Sequence, residues 1–151
     1  MTCIVGIDPG NTTGYCMIDE APDKSGFQVV SVAQIPWEKR VSFFQALFYG
    51  TFTNDKGEPQ LPEIVVIESF RLHPGRAREQ TGSEFPSVRV IGIVEAFVSM
   101  CCPKPPLLVF QEPGVIGRIN ILPEHESMLS GLVHAADAYR HVRYYHLTTG
   151  R

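Results

Sequence analysis

The sequence predicts an α/β domain in which helices flank a mixed β-sheet. The predicted elements follow the order three strands, helix, strand, helix, strand, helix, which is typical of a sheet with helical crossovers. Residues 64–67 are apolar throughout, as in a central strand that is buried on both faces. The length of 151 residues, with 44% hydrophobic and 19% charged residues, suits one domain that spans residues 1–151.

Apolar periodicity and turn residues set the bounds of each element. Short apolar runs between turn residues are assigned to strands, and segments in which apolar residues recur every three or four positions are assigned to helices. Ser87 follows a proline and is the predicted N-cap of the second helix. The segments 53–62, 69–86 and 111–123 are predicted to be irregular. The predicted elements are strands at 3–8, 14–19 and 27–35, a helix at 37–52, a strand at 64–67, a helix at 87–100, a strand at 107–110 and a helix at 124–146.

Composition and charge narrow the class of protein. No apolar run approaches the roughly 20 residues of a membrane helix, and the N-terminus lacks the pattern of a signal peptide, so we expect a cytoplasmic location. Cys3, Cys16, Cys101 and Cys102 show no CxxC spacing, which favours reduced structural cysteines over a zinc site. The net charge of −3 lacks the basic excess that is usual in a non-specific nucleic-acid binder.

The first strand runs into an acidic residue and then into a turn. Pro9 fixes φ and lacks an N–H, so the strand cannot continue beyond Asp8. Gly10 and Gly14 tolerate positive φ and therefore suit the turn. Asp8 is thus expected at the rim of the sheet. Taken alone, the motif could equally be a turn that only joins two strands.

Two later segments favour a functional role for Asp8. Glu68 ends the strand at 64–67, and a parallel, adjacent arrangement with the first strand places both acids at the same edge of the sheet. His134 and Asp137 are three apart on the last helix and share a face, and the alanines around them allow close packing on the sheet. An ionised Asp on such a face is costly to bury without a partner. A divalent cation shared by Asp8, Glu68 and Asp137 would remove that cost.

These motifs together resemble the RNase H-like superfamily and, within it, the RuvC-type Holliday junction resolvases. The resemblance depends on Gly-Ile-Asp-Pro-Gly at 6–10 with Thr13 and Gly14, on Ile67-Glu68, and on His-Ala-Ala-Asp-Ala at 134–138. It implies a five-stranded mixed sheet with strand order 3-2-1-4-5, flanked by helices. It also implies a Mg²⁺-dependent endodeoxyribonuclease of the crossover junction type that cuts branched DNA.

The resemblance further implies the roles of the site residues. The family's catalytic metal ligands correspond to Asp8, Glu68, His134 and Asp137 in this sequence. Two Mg²⁺ ions, with Mn²⁺ as a possible substitute, would be bridged by Asp8, one activating a water and the other stabilising the leaving 3′ oxygen. His134 is either a ligand or a general acid/base. The compact chain looks like a bacteriophage-encoded variant, since the segment before the last helix offers only Arg118 where family members usually present several basic residues.

Candidate DNA contacts lie mainly in the long segment after Glu68. Phe70 is predicted to stack on an unpaired base, although an aromatic that caps the edge of the sheet is at least as good an interpretation. Each basic candidate could also be part of a solvated surface. The candidate phosphate contacts are Arg71, Arg76, Arg78, Arg89 and Arg118. The remaining histidines, which are predicted to be surface residues, are His73, His125, His141 and His146.

The helix at 87–100 is the candidate interface of a homodimer. A resolvase must cut two strands symmetrically, which a two-fold dimer allows. The helix is apolar almost all round, and Gly92 and Ala96 would let another helix approach closely. It is either a core helix or a helix with one flank that is a self-association surface.

Three other functions stay open from the sequence. A nuclease of the same fold could act on flaps, forks or RNA–DNA hybrids. An actin-like nucleotide-binding protein has a similar first motif, but such proteins need a second Gly-rich phosphate loop, which this chain lacks. A non-catalytic nucleic-acid-binding module is disfavoured by the presence of all three acids.

Overall fold

A five-stranded mixed sheet with the order β3-β2-β1-β4-β5 forms the centre of the molecule. The computed structural model describes residues 1–53, 57–70, 85–100 and 104–149. β1 pairs antiparallel with β2 and parallel with β4, while β2 and β3 are antiparallel and β4 and β5 are parallel. The predicted fold class and strand order are confirmed. The strands are β1 (Thr2–Asp8), β2 (Thr12–Glu20), β3 (Phe27–Pro36), β4 (Ile64–Glu68) and β5 (Leu107–Gln111).

Helices cover both faces of this sheet. The α-helices in the described part of the chain are α1 (Arg40–Phe48), α2 (Pro86–Met100), α3 (Glu126–Leu129) and α4 (Val133–Thr149). Short 3₁₀ helices lie at Trp37–Lys39, Pro113–Arg118 and Pro123–His125. Among the described helices, none combines the length and the apolar character that crossing a membrane requires.

Three predicted bounds are wrong, and glycines explain two of them. The helix predicted at 37–52 begins as a 3₁₀ helix and ends at Phe48, because Gly50 takes a φ of 75° and closes the C-terminus of α1. The helix predicted at 124–146 is interrupted at Gly131, where φ is 76°, and its main part is α4. The segment predicted as irregular at 111–123 contains the 3₁₀ helix Pro113–Arg118.

The predicted N-cap role of Ser87 is also wrong. The helix α2 already begins at Pro86, and the Ser87 Oγ donates a 2.7 Å hydrogen bond to the carbonyl oxygen of Pro9. This bond ties the start of α2 to the turn that follows Asp8. Of the predicted loop at 69–86, residues 71–84 lie outside the described residues.

The core has two apolar layers because alternate side chains of each strand point to opposite faces. One layer joins Val5 and Ile7 of β1 to α1 and α2, with Phe44 and Val90 among its fully buried members. The other layer lies beneath α4. Its buried members include Ile4, Cys16, Ile18, Val66, Ala135, Ala138, Tyr139 and Val142.

Two glycines bring α4 close to the sheet. A Cβ on Gly14 would overlap the carbonyl oxygen of His134, and a Cβ on Gly6 would overlap that of Ala138. Neither Gly10 nor Gly14 adopts a positive φ, so the turn does not use the conformational freedom that their residue type allows. Gly14 instead makes room for the first turn of α4, which fixes the distance between that helix and the end of β1.

The cysteines of the described ranges are free thiols. Cys3 and Cys16 are both buried and unpaired in any disulfide, as predicted for reduced structural cysteines. Burial raises the pKa of Cys3 to about 12 and raises that of Cys16 as well. The thiols are therefore protonated and packed as small apolar groups. Cys101 and Cys102 lie outside the described residues.

Candidate active site

Asp8 and Glu68 end two neighbouring parallel strands. Ile7 pairs in register with Ile67, so the residues that follow them emerge at the same edge of the sheet. The first turns of α4 cross this edge, because Gly14, the partner of Asp8 on β2, admits the helix there. The edge thus carries acids from β1 and β4 under the N-terminal half of α4, as predicted.

The Asp8 carboxylate is the electrostatic centre of this edge. Its side chain is only 14% exposed, and burial raises its pKa to about 6. The hydrogen bond from His134 opposes this rise, whereas the negative charges of Glu68 and Asp137 add to it. Asp8 therefore feels the charges of both other acids, and the three predicted carboxylates share one electrostatic environment.

His134 lies at the exposed side of the site. Its Nδ1 is 2.9 Å from Oδ2 of Asp8, and its side chain is 46% exposed. Its backbone N–H donates a 2.9 Å hydrogen bond to Oε1 of Gln34 on β3. This bond satisfies one of the N–H groups that the first turn of a helix leaves without a partner. Gln34 therefore anchors the start of α4, a role that the sequence did not reveal.

Asp137 lies beside a cleft of about 340 Å³. Nη1 of Arg140 donates a 2.6 Å hydrogen bond to Oδ1 of Asp137, and Nε of Arg140 donates to the carbonyl oxygen of Ile119. Arg143 donates in the same way to the carbonyl oxygen of Asn120. Both arginines thus fasten the segment after the Pro113–Arg118 helix to α4. The cleft is lined by Ile116, Gly117, Ile119, Asn120, Asp137 and Arg140.

Glu68 has a partner that the sequence analysis missed. His141 is fully buried, and its Nε2 lies 2.9 Å from Oε2 of Glu68. Its Nδ1 lies 2.8 Å from Oε1 of Gln111, the last residue of β5. The predicted surface position of His141 is therefore wrong. The position of His141 in the sequence could have indicated this, because a residue four positions after Asp137 shares the same face of the helix as Asp137.

Two more histidines that were predicted to be on the surface are largely buried. Nδ1 of His125 lies 3.0 Å from the Tyr139 hydroxyl, and Nδ1 of His146 lies 2.6 Å from Oε1 of Glu20. Both pairs pack around the ring of Phe27, away from Asp8. The surface prediction is wrong for these two as well, and His73 lies outside the described residues.

The donor chemistry of the site fits a divalent cation. Carboxylate oxygens are the ligands that Mg²⁺ and Mn²⁺ prefer, and a cation would neutralise the crowded negative charge around Asp8. In the described ranges, no three His, Cys, Asp or Glu side chains are arranged to hold a metal ion. Each acid contacts a partner on α4 through one carboxylate oxygen. These pairs are Asp8 with His134, Asp137 with Arg140, and Glu68 with His141.

The predicted DNA contacts are only partly covered by the described residues. Phe70 is 38% exposed, and its ring centre lies 5.0 Å from that of Phe85. Arg89 lies on the exposed side of α2, and Arg118 is exposed at the end of its 3₁₀ helix. Their roles toward DNA stay predictions. The predicted contacts outside the described residues are Arg71, Arg76 and Arg78.

The strand order, the parallel β1–β4 pair and the helix across their carboxyl ends define the RNase H-like fold in its resolvase form. The fowlpox virus resolvase, solved in a complex with substrate Holliday junction DNA, has this fold with a TM-score of 0.63 and 12% identity. That comparison covers 98% of this chain and 99% of the fowlpox chain. T. thermophilus RuvC in complex with a Holliday junction substrate gives a TM-score of 0.59 and 16% identity, over 99% of this chain and 98% of RuvC.

The similarity to these proteins lies in the fold. The sequence matches no protein-family model and no curated protein. Even so, the RuvC-type fold that the three short motifs predicted is confirmed.

Proposed function

We propose that this protein is a metal-dependent endonuclease that cuts phosphodiesters in branched DNA, with the four-way junction as its main substrate. The observation that carries the proposal is that Asp8 and Glu68 end neighbouring parallel strands at one edge of the sheet, where the charges of Glu68 and Asp137 both act on the buried Asp8 carboxylate. The fold is shared with resolvases that were solved in complexes with Holliday junction DNA, which supports the choice of substrate.

The three acids would hold two Mg²⁺ ions, with Mn²⁺ as a substitute. When bound, the ions supply an activated water and stabilisation of the leaving 3′ oxygen. The charges of both other acids act on Asp8, and Asp8 would be the ligand common to the two ions. The contacts with α4 engage one oxygen of each carboxylate, and the second oxygen of each group is the candidate ligand.

His134 is placed to act on the solvent side of the site. Its imidazole is half exposed and bonded to Asp8, so it can coordinate an ion or move a proton to or from a water. Arg140 lines the cleft beside Asp137, and Arg118 is exposed at the end of the neighbouring 3₁₀ helix. Both are candidates for contacts with the phosphates next to the cut. Phe70, Arg71, Arg76, Arg78 and Arg89 are the remaining candidate DNA contacts.

A cleavage panel tests the proposed activity. The substrates are four-way junctions, flaps, forks and RNA–DNA hybrids, each with Mg²⁺, with Mn²⁺ and with EDTA. We expect paired cuts in the four-way junction with either metal, no cuts in EDTA, and no cuts with Asp8→Asn. Preferred cutting of flaps, forks or hybrids would show that one of these, and not the four-way junction, is the main substrate. Binding of DNA without cutting would show that the protein is a non-catalytic nucleic-acid-binding module.

We propose α2 as the interface of a homodimer. Its inner side is buried in the core through Val90 and Val94, while Val88 and Met100 are exposed on the outer side. Among the described residues, none lies within 4 Å of a Cβ placed on Gly92, so a second helix could approach it closely. Sedimentation should show a dimer at micromolar concentration for the wild type and a monomer for Gly92→Arg. A monomeric wild type would contradict the interface.

A further inference from the structure

A buried polar connection lies directly beneath the candidate metal site. His141 of α4 joins Glu68 at the end of β4 to Gln111 at the end of β5, through contacts of 2.9 and 2.8 Å. The two strand ends are in register, and the backbone N–H of Ser69 donates a 2.7 Å bond to the carbonyl oxygen of Gln111. The imidazole is therefore held by three elements, and it cannot turn without breaking both side-chain contacts.

The hydrogen-bonding chemistry of Glu68 and Gln111 determines which ring nitrogen of His141 donates a hydrogen bond to Glu68. A carboxylate only accepts hydrogen bonds, so Nε2 of His141 must carry the proton that it shares with Glu68. The Gln111 amide can accept from Nδ1 through its oxygen or, when turned over, donate to it through its NH₂ group. Gln111 therefore satisfies Nδ1 in either case, and the ring presents an N–H to the acid.

We propose that His141 is a positioning residue that fixes the Glu68 carboxylate for metal binding, with Gln111 holding its ring. The inference rests on the proposed function, because it assumes that Glu68 is a ligand. His141 binds one oxygen of the Glu68 carboxylate, whose charge acts on Asp8, and this contact fixes the orientation of the carboxylate. Groups that hydrogen-bond metal ligands in this way set ligand orientation, and their loss weakens metal binding.

His125 provides the matched comparison within the same layer. It is also largely buried, and its Nδ1 lies 3.0 Å from the hydroxyl of Tyr139 on α4. Its partner is a phenol rather than an acid of the candidate site, and Tyr139, two residues from both Asp137 and His141, does not share their face of the helix. A substitution of His125 tests what the loss of a buried imidazole does to the fold alone.

Two amide substitutions at His141 separate the two ring nitrogens. The amide nitrogen of Gln matches the position of Nε2, whereas that of Asn matches the position of Nδ1. We expect His141→Asn to weaken Mn²⁺ binding, measured by calorimetry without DNA, by about 10- to 100-fold, and His141→Gln to stay within about threefold of the wild type. We expect His125→Gln to leave Mn²⁺ affinity unchanged. Equal affinity for the Asn and Gln variants, or wild-type affinity for Asn, would overturn the positioning role.

A measurement on the wild-type chain keeps the inference testable if these variants do not fold. In ¹⁵N NMR of the histidine rings, Nε2 of His141 should be protonated, and Mg²⁺ should shift the resonances of both His134 and His141 but not those of His146. A shift at His134 with none at His141 would overturn this inference and leave the metal site standing. No shift at either ring would overturn the metal site and the inference together.

Discussion

Two histidine–glutamate pairs tie α4 to the sheet, and they differ in their surroundings. His141 contacts Glu68 at 2.9 Å, and one and a half turns later His146 contacts Glu20 at 2.6 Å. Each glutamate is the last residue of a strand. The Glu68 side chain is 22% exposed and its charge acts on Asp8, while Glu20 is 6% exposed and its partner packs against Phe27. A buried histidine–glutamate pair is therefore not in itself evidence of a site.

Strand direction accounts for the difference. β4 runs parallel to β1, so Glu68 ends at the edge that carries Asp8. β2 runs antiparallel to β1, so Glu20 pairs in register with Thr2 at the opposite edge. A histidine–glutamate pair thus supplies a candidate ligand and its support at one edge of the sheet, and a packing contact at the opposite edge.

The largest expected effect is a difference in DNA cleavage between variants of the two glutamates, Glu68 and Glu20. Glu68→Gln should reduce cleavage of a four-way junction about a thousandfold, because loss of a metal ligand removes several kcal/mol of transition-state stabilisation. Glu20→Gln is the matched control and should leave the rate of cutting within about threefold of the wild type, since it lies outside the site. Both variants are measured at a temperature at which circular dichroism shows them folded. Equal losses in the two variants would remove the functional distinction between the pairs.

The next effect concerns how the site end of α4 is held. Gly14→Ala should destabilise the fold by about 3 kcal/mol, because the added methyl group overlaps the carbonyl oxygen of His134 and must push the helix away. Gly117→Ala is the control, since no atom of the residues that the structure describes lies within 4 Å of a Cβ at that position. Urea unfolding of both variants measures the difference. A Gly14→Ala variant as stable as the wild type would show that the close approach of α4 is not required.

The sequence was sufficient to predict the sheet and the position of Asp8 and Glu68 at the same edge of it. Acids that end parallel strands must share an edge, and the alanines around Asp137 predict a helix that packs closely on the sheet. It was not sufficient for His141, because the residue type is equally common on surfaces and only the fold shows that Gln111 and Glu68 lie within reach of it. The break at Gly131 was missed for a similar reason, since a helical pattern continues on both sides of it.

The smallest expected effect is a pH dependence of stability that arises from the burial of Asp8, with a further contribution from the charges of Glu68 and Asp137. Because the pKa of Asp8 is raised to about 6 in the folded chain, against 3.8 as its ordinary value, the folded state keeps a proton that the unfolded chain has lost between about pH 4 and 6. Unfolding then releases a proton, so stability in EDTA should fall as the pH rises through this window. Allowing for solvent screening, the loss should be about 2 kcal/mol.

Asp8→Asn removes the ionisable group, so the stability of this variant should not fall between pH 4 and 6. Above pH 6 and in EDTA, the free energy of unfolding of the variant should exceed that of the wild type by about 2 kcal/mol. Added Mg²⁺ at pH 7 should reverse that order, because only the wild type retains a full set of anionic ligands for the ion. Urea unfolding at pH 4, 5, 6 and 7, with EDTA or with Mg²⁺, measures both differences. If the two chains kept a constant difference in stability from pH 4 to 7 in EDTA, burial and the nearby acids would not raise the pKa of Asp8 in the folded state. The electrostatic contrast between the two edges of the sheet would then be lost.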